Sequence, residues 1–315
     1  MVRGVTLTPL KSTAGPLVRV AEWCLRDASW RLTKAVRVFT RGASALVVMF
    51  MAVVLGTGSA SAIANGTLAS AGQDPFAVKL TMTNIPRPDG TVYDSACSAA
   101  LISPTWIITA GHCFHDVNRT PASGPVPYTT SATLNTVDVN KSPGEVRGVT
   151  YVRQSPSNDI AVARLSAPVT DVHPLGLSTT APRKGSLLTM AGWGATSSVN
   201  PTPSIQLSTG VVKVSAVRST TLDVVGYFPA PDTSACLYDS GAPYFTTPTG
   251  GVPSLVSTES NGPNCPHITP ETTARVDINT NWIKTVVTDP PDPLRRAAVC
   301  APTQPRAGGD APPRA

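Results

Sequence analysis

Acyl transfer by a serine hydroxyl needs a neighbouring base that can take its proton near neutral pH, and histidine has the matching pKa. The 315-residue chain has only four histidines: His112, His115, His173 and His267. Ser240 stands in CLYDSGAP (236–243), and His112 nearly closes CSAALISPTWIITAGHC (97–113). An Asp-Ser-Gly triplet alone is only a turn sequence, because all three residues favour turns. The histidine segment is more informative. Two short β-like runs around a Pro-Thr turn deliver His112 directly beside Cys113. A bridge from Cys113 back to Cys97 would fix the strand end that carries the imidazole. Such support matters, because a displaced base loses orders of magnitude in rate. The plainer alternative is an ordinary loop histidine. A metal site built from His112, Cys113, His115 and Asp116 lacks a convincing ligand set once the cysteine is oxidised. No metal and no cofactor is expected.

The segments that must position these residues read as mostly β. Short Val/Thr/Ser/Ile/Leu runs are separated by turn residues, with 31 Pro and 24 Gly in the chain. The one amphipathic helical stripe is INTNWIKTVV (278–287), with Ile278, Trp282, Ile283 and Val286 on one face. No internal repeat of fixed period occurs.

The net charge of +6 belongs to the first 62 residues, which hold eight Lys/Arg against Glu22 and Asp27. From Ile63 onward the chain is neutral, so nothing marks a nucleic-acid partner. Basic residues up to Arg41, the apolar run ASALVVMFMAVVL (43–55) and Ala60-Ser61-Ala62 form the three parts of a secretory signal. The run is too short for a permanent membrane anchor. The stretch ahead of it is long for a signal, which suggests a translation start near Val36 or Val38. Export would place Cys97, Cys113, Cys236 and Cys265 in an oxidising compartment, with Cys24 in the leader and Cys300 in the tail. Four cysteines allow three pairings, of which Cys97–Cys113 with Cys236–Cys265 is the simplest. Residues 290–315, rich in Pro and Ala, read as a disordered tail.

ITAGHC resembles the histidine motif of the chymotrypsin/trypsin-like serine proteases, and YDSGAP resembles a variant of their Gly-Asp-Ser-Gly-Gly-Pro motif, in the family's order. The resemblance implies an aspartate between the two, and Asp159 in NDIAVARL (158–165) leads an alternating apolar run as that residue should. Its role would be to accept the imidazole's far N–H and stabilise the imidazolium. AGWGATS (191–197) is similar to the family's Gly-Trp-Gly segment, and PSLVSTES (253–260) to the strand beside the substrate, where Ser257 would hydrogen-bond Asp159. The likeness runs from 63 to about 288. It implies an all-β fold of two antiparallel six-stranded barrels, about 63–175 and 176–277, with a C-terminal helix at 278–288. It also implies an oxyanion hole from the backbone N–H groups of Tyr238 and Ser240. A buried ion pair between a mature N-terminus at Ile63 and Asp239 is implied as well. IANG (63–66) follows the Ala-x-Ala site directly, so signal peptidase itself could free that amine.

The chain departs from the pattern at Tyr238, where the family has glycine and where a Cβ resists the backbone geometry. Ser234 stands where a trypsin carries aspartate. Glu259 falls at an expected glycine after Thr258, and Glu271 near another glycine of the pocket wall. A carboxylate entering the pocket would either favour Lys or Arg at the cleavage site or merely shrink the cavity, and a weak preference for basic or mixed residues is expected. Two readings result. One is a secreted, monomeric endopeptidase acting on protein or peptide substrates. The other is a non-catalytic binding module on the same fold, disfavoured because a retired site has little reason to retain His, Asp and Ser together. An α/β-hydrolase is disfavoured because the histidine comes first in the chain.

Overall fold

The computed structural model describes residues 62–288. The leader up to Ser61, with Cys24, and the tail 290–315, with Cys300, lie outside the described residues. Among the described residues no helix is long and apolar enough to cross a membrane.

The first half of this region is built from β1 (Thr67–Leu68), β2 (Ala77–Pro86), β3 (Val92–Ser103), β4 (Trp106–Thr109), β5 (Gly124–Pro125), β6 (Thr129–Leu134), β7 (Glu145–Gln154) and β8 (Ala161–Leu165). There follow β9 (Gly176–Leu177), β10 (Leu187–Gly192), β11 (Ser208–Val217), β12 (Thr221–Phe228), β13 (Pro243–Thr246), β14 (Ser254–Asn261) and β15 (Glu271–Arg275), and then the helix α1 (Thr280–Thr288).

Six strands pair in the order β7-β6-β2-β3-β4-β8, and β7 also pairs with β8, which closes a ring. The order β11-β10-β13-β14-β15-β12 closes in the same way through β11 and β12. Closure leaves neither set with open edges. The expected architecture of two antiparallel six-stranded barrels with a C-terminal helix is borne out.

The alternation of β2 shows why the sequence curls inward. Val78, Leu80 and Met82 point to the core at period two, and a register shift after Met82 brings Ile85 inward as well. With Leu101, Trp106, Ile107 and Ile108 they fill the first barrel. Leu188, Met190, Val212, Val214 and Val224 fill the second. Each such side chain contributes about 1.5–3 kcal/mol on burial.

The chain entering the first barrel rests on the second. Ala64 pairs with Ser234 and β1 pairs with β11. At the other end α1 buries Ile283 and packs Trp282 and Val286 against the core. Ile278, just before it, is partly exposed.

Candidate active site

β4 is buried along its whole length and runs into a single 3-10 turn, Gly111–Cys113, which presents His112 at the surface. Two devices hold this turn. Cys113 is bonded to Cys97 on β3. The Gln154 amide on β7 donates to the carbonyls of Gly111 (2.9 Å), Phe114 (3.1 Å) and Ala122 (3.2 Å). Nothing in the spacing of the sequence points to Gln154.

Asp159 enters just ahead of β8. Its preceding residue is the anchor: the Asn158 amide donates to the carbonyls of Thr220 (2.9 Å) and Arg275 (3.0 Å), which belong to the second barrel's side of the molecule. Asn279 in turn donates to Asn158 Oδ1 at 2.8 Å. Asp159 Oδ1 accepts the backbone N–H of His112 at 2.8 Å, and its Oδ2 lies 2.8 Å from His112 Nδ1. On the other side of the ring, His112 Nε2 lies 2.8 Å from Ser240 Oγ. A continuous hydrogen-bonded chain thus joins 159, 112 and 240. Burial raises the Asp159 carboxyl. The hydrogen bond and charge of His112 and the hydroxyl of Ser260 outweigh that, and the group sits below the usual carboxylate range.

That last contact corrects an expectation. The hydroxyl donated to Asp159 Oδ2, at 2.7 Å, is Ser260's, not Ser257's. Ser257 is fully buried and accepts the Thr273 hydroxyl at 2.8 Å. A register shift between Glu259 and Asn261 on β14 turns Ser260 towards the cleft. With Ser260 as the anchor, Glu259 precedes it and Gly262 takes the glycine place that Glu259 was expected to occupy.

The loop carrying Ser240 is tied to the first barrel. Ser98 N–H donates to Ser240 O at 2.9 Å, and Ser98 Oγ donates to Tyr238 O at 3.3 Å. Gly241 has φ +83°, and a Cβ there would lie 2.1 Å from Thr109 Oγ1, so only glycine fits. Tyr238 nevertheless holds φ +74° with a full side chain. The Leu237 carbonyl accepts Ala195 N–H at 2.7 Å. In a trans peptide the Tyr238 N–H then points the opposite way, away from Ala195.

Asp239 is fully buried. Its oxygens accept N–H bonds from Gly194 (2.8 Å) and Cys236 (3.0 Å). Burial holds this carboxyl well above its ordinary range, those bonds offset only part of the shift, and Glu271 adds to it. Ile63 is also fully buried, and a Cβ on Gly192 would touch both Ile63 Cδ1 and Asp239 Oδ1. Ile63 and Asp239 therefore approach the same small space.

The remaining pocket candidates form a second cluster behind β14. Tyr244 Oη lies 2.8 Å from Glu259 Oε2 and 2.6 Å from Glu271 Oε1. One hydroxyl has one proton, so two such bonds require that one glutamate is protonated and donates back. Burial, then the charge of Glu271, pushes Glu259 well above the ordinary range, and Glu259 is the neutral partner. Glu271 Oε2 accepts Ala235 N–H at 3.0 Å and lies 3.4 Å from His267 Nε2. That last contact is within ion-pair range but is not an aligned hydrogen bond. A Cβ on Gly262 would lie 3.8 Å from Glu259 Oε1. Ser234 accepts His267 N–H, and Thr258 Oγ1 is buried without a hydrogen-bond partner. Cys236 and Cys265 are bonded beside this cluster. Tyr244 and His267 had no sequence signal, since a tyrosine following Ser-Gly-Ala-Pro reads as ordinary core.

Double-barrel folds with a site in the intervening cleft are a recognised class, and the comparisons place the chain within it. Residues 63–283 match the family described as Trypsin. The chain is 26% identical to human kallikrein-4 over 149 residues, which is 44% of this chain and 51% of that protein. It is 24% identical over 263 residues to the venom peptide isomerase heavy chain of Agelenopsis aperta, covering 70% of this chain and 98% of that one. With kallikrein-4 the match thus spans about half of the relative's length. Among solved structures, neuropsin, a serine protease expressed in the limbic system of mouse brain, superposes with TM-score 0.55 at 21% identity, covering 72% of this chain and all of that one. The chain belongs to the trypsin family of serine proteases.

Proposed function

We propose that the protein is a secreted serine endopeptidase that hydrolyses peptide bonds through an acyl-enzyme. The observation that carries this reading is the chain Ser240 Oγ–His112 Nε2, His112 Nδ1–Asp159 Oδ2, with both links at 2.8 Å. His112 Nε2 takes the Ser240 proton as Oγ bonds to the scissile carbonyl carbon, and the carbonyl π pair moves to oxygen. The N–H groups of Tyr238 and Ser240 receive that oxyanion, a contribution of about 10²–10³ in turnover. The C–N bond then breaks and the amine takes the proton from His112. Water repeats the sequence on the ester: His112 accepts its proton, the C–Oγ bond breaks and Ser240 regains its hydrogen. Asp159 holds the ring in the tautomer with Nδ1–H and stabilises the imidazolium.

The buried position of Ile63 beside Asp239 supports activation by a new α-amino group at residue 63, released by cleavage after Ala62. N-terminal sequencing of the secreted protein should begin at Ile63; a start upstream would reject that step. Ser234 in place of aspartate argues against a simple trypsin pocket. Glu271, behind Gly262, supports a weak preference for basic or mixed residues before the cleaved bond. Export and a monomeric state complete the proposal.

A fluorophosphonate probe should label Ser240, located by peptide mapping, and Ser240→Ala should abolish labelling. No labelling of the mature protein, together with no peptide hydrolysis, would assign the fold to the non-catalytic binding module.

A further inference from the structure

Beside Ser240, lined by no residue of β14, lies a cavity of about 280 Å³. His112, Ser240 and Tyr238 line it, together with Tyr93, His115 and Arg119. None of its lining residues is an aspartate or glutamate, and none belongs to β14 or the Glu259 cluster. Its cationic group is built in place. His115 is buried, and its Nδ1 lies 2.7 Å from the Asp116 carbonyl, which can only accept. In the tautomer that bond selects, Nε2 carries the lone pair and accepts from Arg119 Nη1 at 3.2 Å. Arg119 Nη1 also donates to the Tyr93 hydroxyl.

Arg119 holds φ +67°, a conformation that costs a non-glycine residue about 1–2 kcal/mol, and an N–H bond to Asp116 O (3.0 Å) stabilises the turn. The nearby Asp116 carboxylate is turned onto the N–H groups of Asn118 and Thr120 instead. Among the described residues no carboxylate forms an ion pair with Arg119. A second cavity, of about 510 Å³, shares Tyr93 and Arg119 with the first and adds Arg87, whose guanidinium lies 4.4 Å from the Tyr93 ring centroid. It too has no acidic lining residue.

We infer that this flank is a carboxylate-recognising subsite for the departing half of the substrate, with Arg119 as its specificity-determining residue. The inference rests on the peptidase reading. With the acyl half of the substrate along β14, the amine half must leave Ser240 past the Cys97–Cys113 bridge, into this cavity. An aspartate or glutamate one or two residues after the scissile bond then meets Arg119. A free α-carboxylate of a substrate ending at that point presents the same chemistry. The guanidinium is solvent-exposed, so the gain is modest, roughly fivefold, the upper range for an exposed ion pair.

The test compares kcat/KM for amidated peptides that share one acyl half and carry Glu or Gln at the first or second position after the bond. A further pair ends at the second position as free acid or amide. The expected result is about a fivefold preference for the acid in at least one pair at low salt, shrinking in 0.5 M NaCl. It should be lost in Arg119→Gln and kept in Arg119→Lys. The deacylation rate should be equal for all peptides, because the departing half has already left. Preference only for the free acid assigns the subsite to chain ends and still supports the inference. Cleavage of every peptide with equal kcat/KM overturns it and leaves the peptidase reading intact. Failure to cleave any peptide overturns both.

Discussion

Among the described residues the molecule holds two imidazole–carboxylate pairs, and their hydrogen bonding differs. In the first, His112 donates through Nδ1 to Asp159, while Nε2 faces the Ser240 hydroxyl at the surface. In the second, His267 spends Nδ1 on the Thr269 carbonyl at 2.8 Å, and only Nε2 faces Glu271. The first ring has one nitrogen held and one available to a proton in transit. The second has neither available, and its side chain is only 8% exposed. The carboxylates differ in the same sense. Asp159 sits below its usual range, which keeps it ionised beside His112. Glu271 is tied through Tyr244 to a glutamate that keeps its proton. A histidine beside an acid is therefore not sufficient for acid–base chemistry; the use made of the second ring nitrogen decides.

The largest effect that would break this contrast is on the first pair. Asp159→Asn should leave the fold intact and reduce kcat by about 10⁴, because the amide favours the wrong tautomer of His112. A loss under tenfold would show that Ser260 and the backbone alone position the ring. In the second pair the same kind of change should act on stability. Glu271→Ala leaves Ala235 N–H without its acceptor, removes one of the two partners of Tyr244 Oη and takes away the charge facing His267, and should destabilise by about 3–5 kcal/mol in urea unfolding.

The pH dependence sharpens the contrast further. Burial lowers the His267 pKa, but Glu271 outweighs it and the net shift is upward. Its contribution is present below the ordinary histidine range and is lost as pH rises through the raised value. Glu259, also raised, keeps its proton when folded and gives it up when unfolded, so it too removes stability as pH climbs above the ordinary glutamate range. Glu259→Gln mimics the protonated form. Its melting temperature should match the parent near pH 4 and exceed it at pH 8 by roughly 2–4 °C, about 1 kcal/mol for a domain of this size. Equal curves at both pH values would mean that Glu259 is ionised in the fold.

The smallest effect concerns the loop between the two regions. Tyr238→Gly relieves φ +74° but frees the unfolded chain, so unfolding free energy should change by no more than about 1 kcal/mol. The rate of fluorophosphonate labelling should hold or rise. A fall of tenfold or more would assign the Tyr238 side chain a role in shaping the oxyanion loop.

Much of this was legible in the chain itself. ITAGHC, NDIAVARL and YDSGAP carry residues that the fold brings into one hydrogen-bonded line, and the short Val/Thr/Ser/Ile/Leu runs between turn residues are the strands that close into barrels. What escaped was decided by three-dimensional register. Ser257 and Ser260 are three apart on one strand, and only the shift between Glu259 and Asn261 determines which reaches Asp159. The Tyr244 bridge joins residues 15 and 27 positions distant, with no periodicity to signal it. Gln154 anchors the histidine turn through backbone carbonyls, which no side-chain pattern encodes.

The most direct measurement is a stopped-flow burst with an activated peptide ester, followed by mass spectrometry of acid-quenched protein. If Ser240 is made nucleophilic by His112, one equivalent of leaving group should appear before steady turnover, and the acyl mass should map to Ser240. His112→Ala should erase the burst. A linear release with no burst and no adduct, from a correctly folded mature chain, would contradict the account.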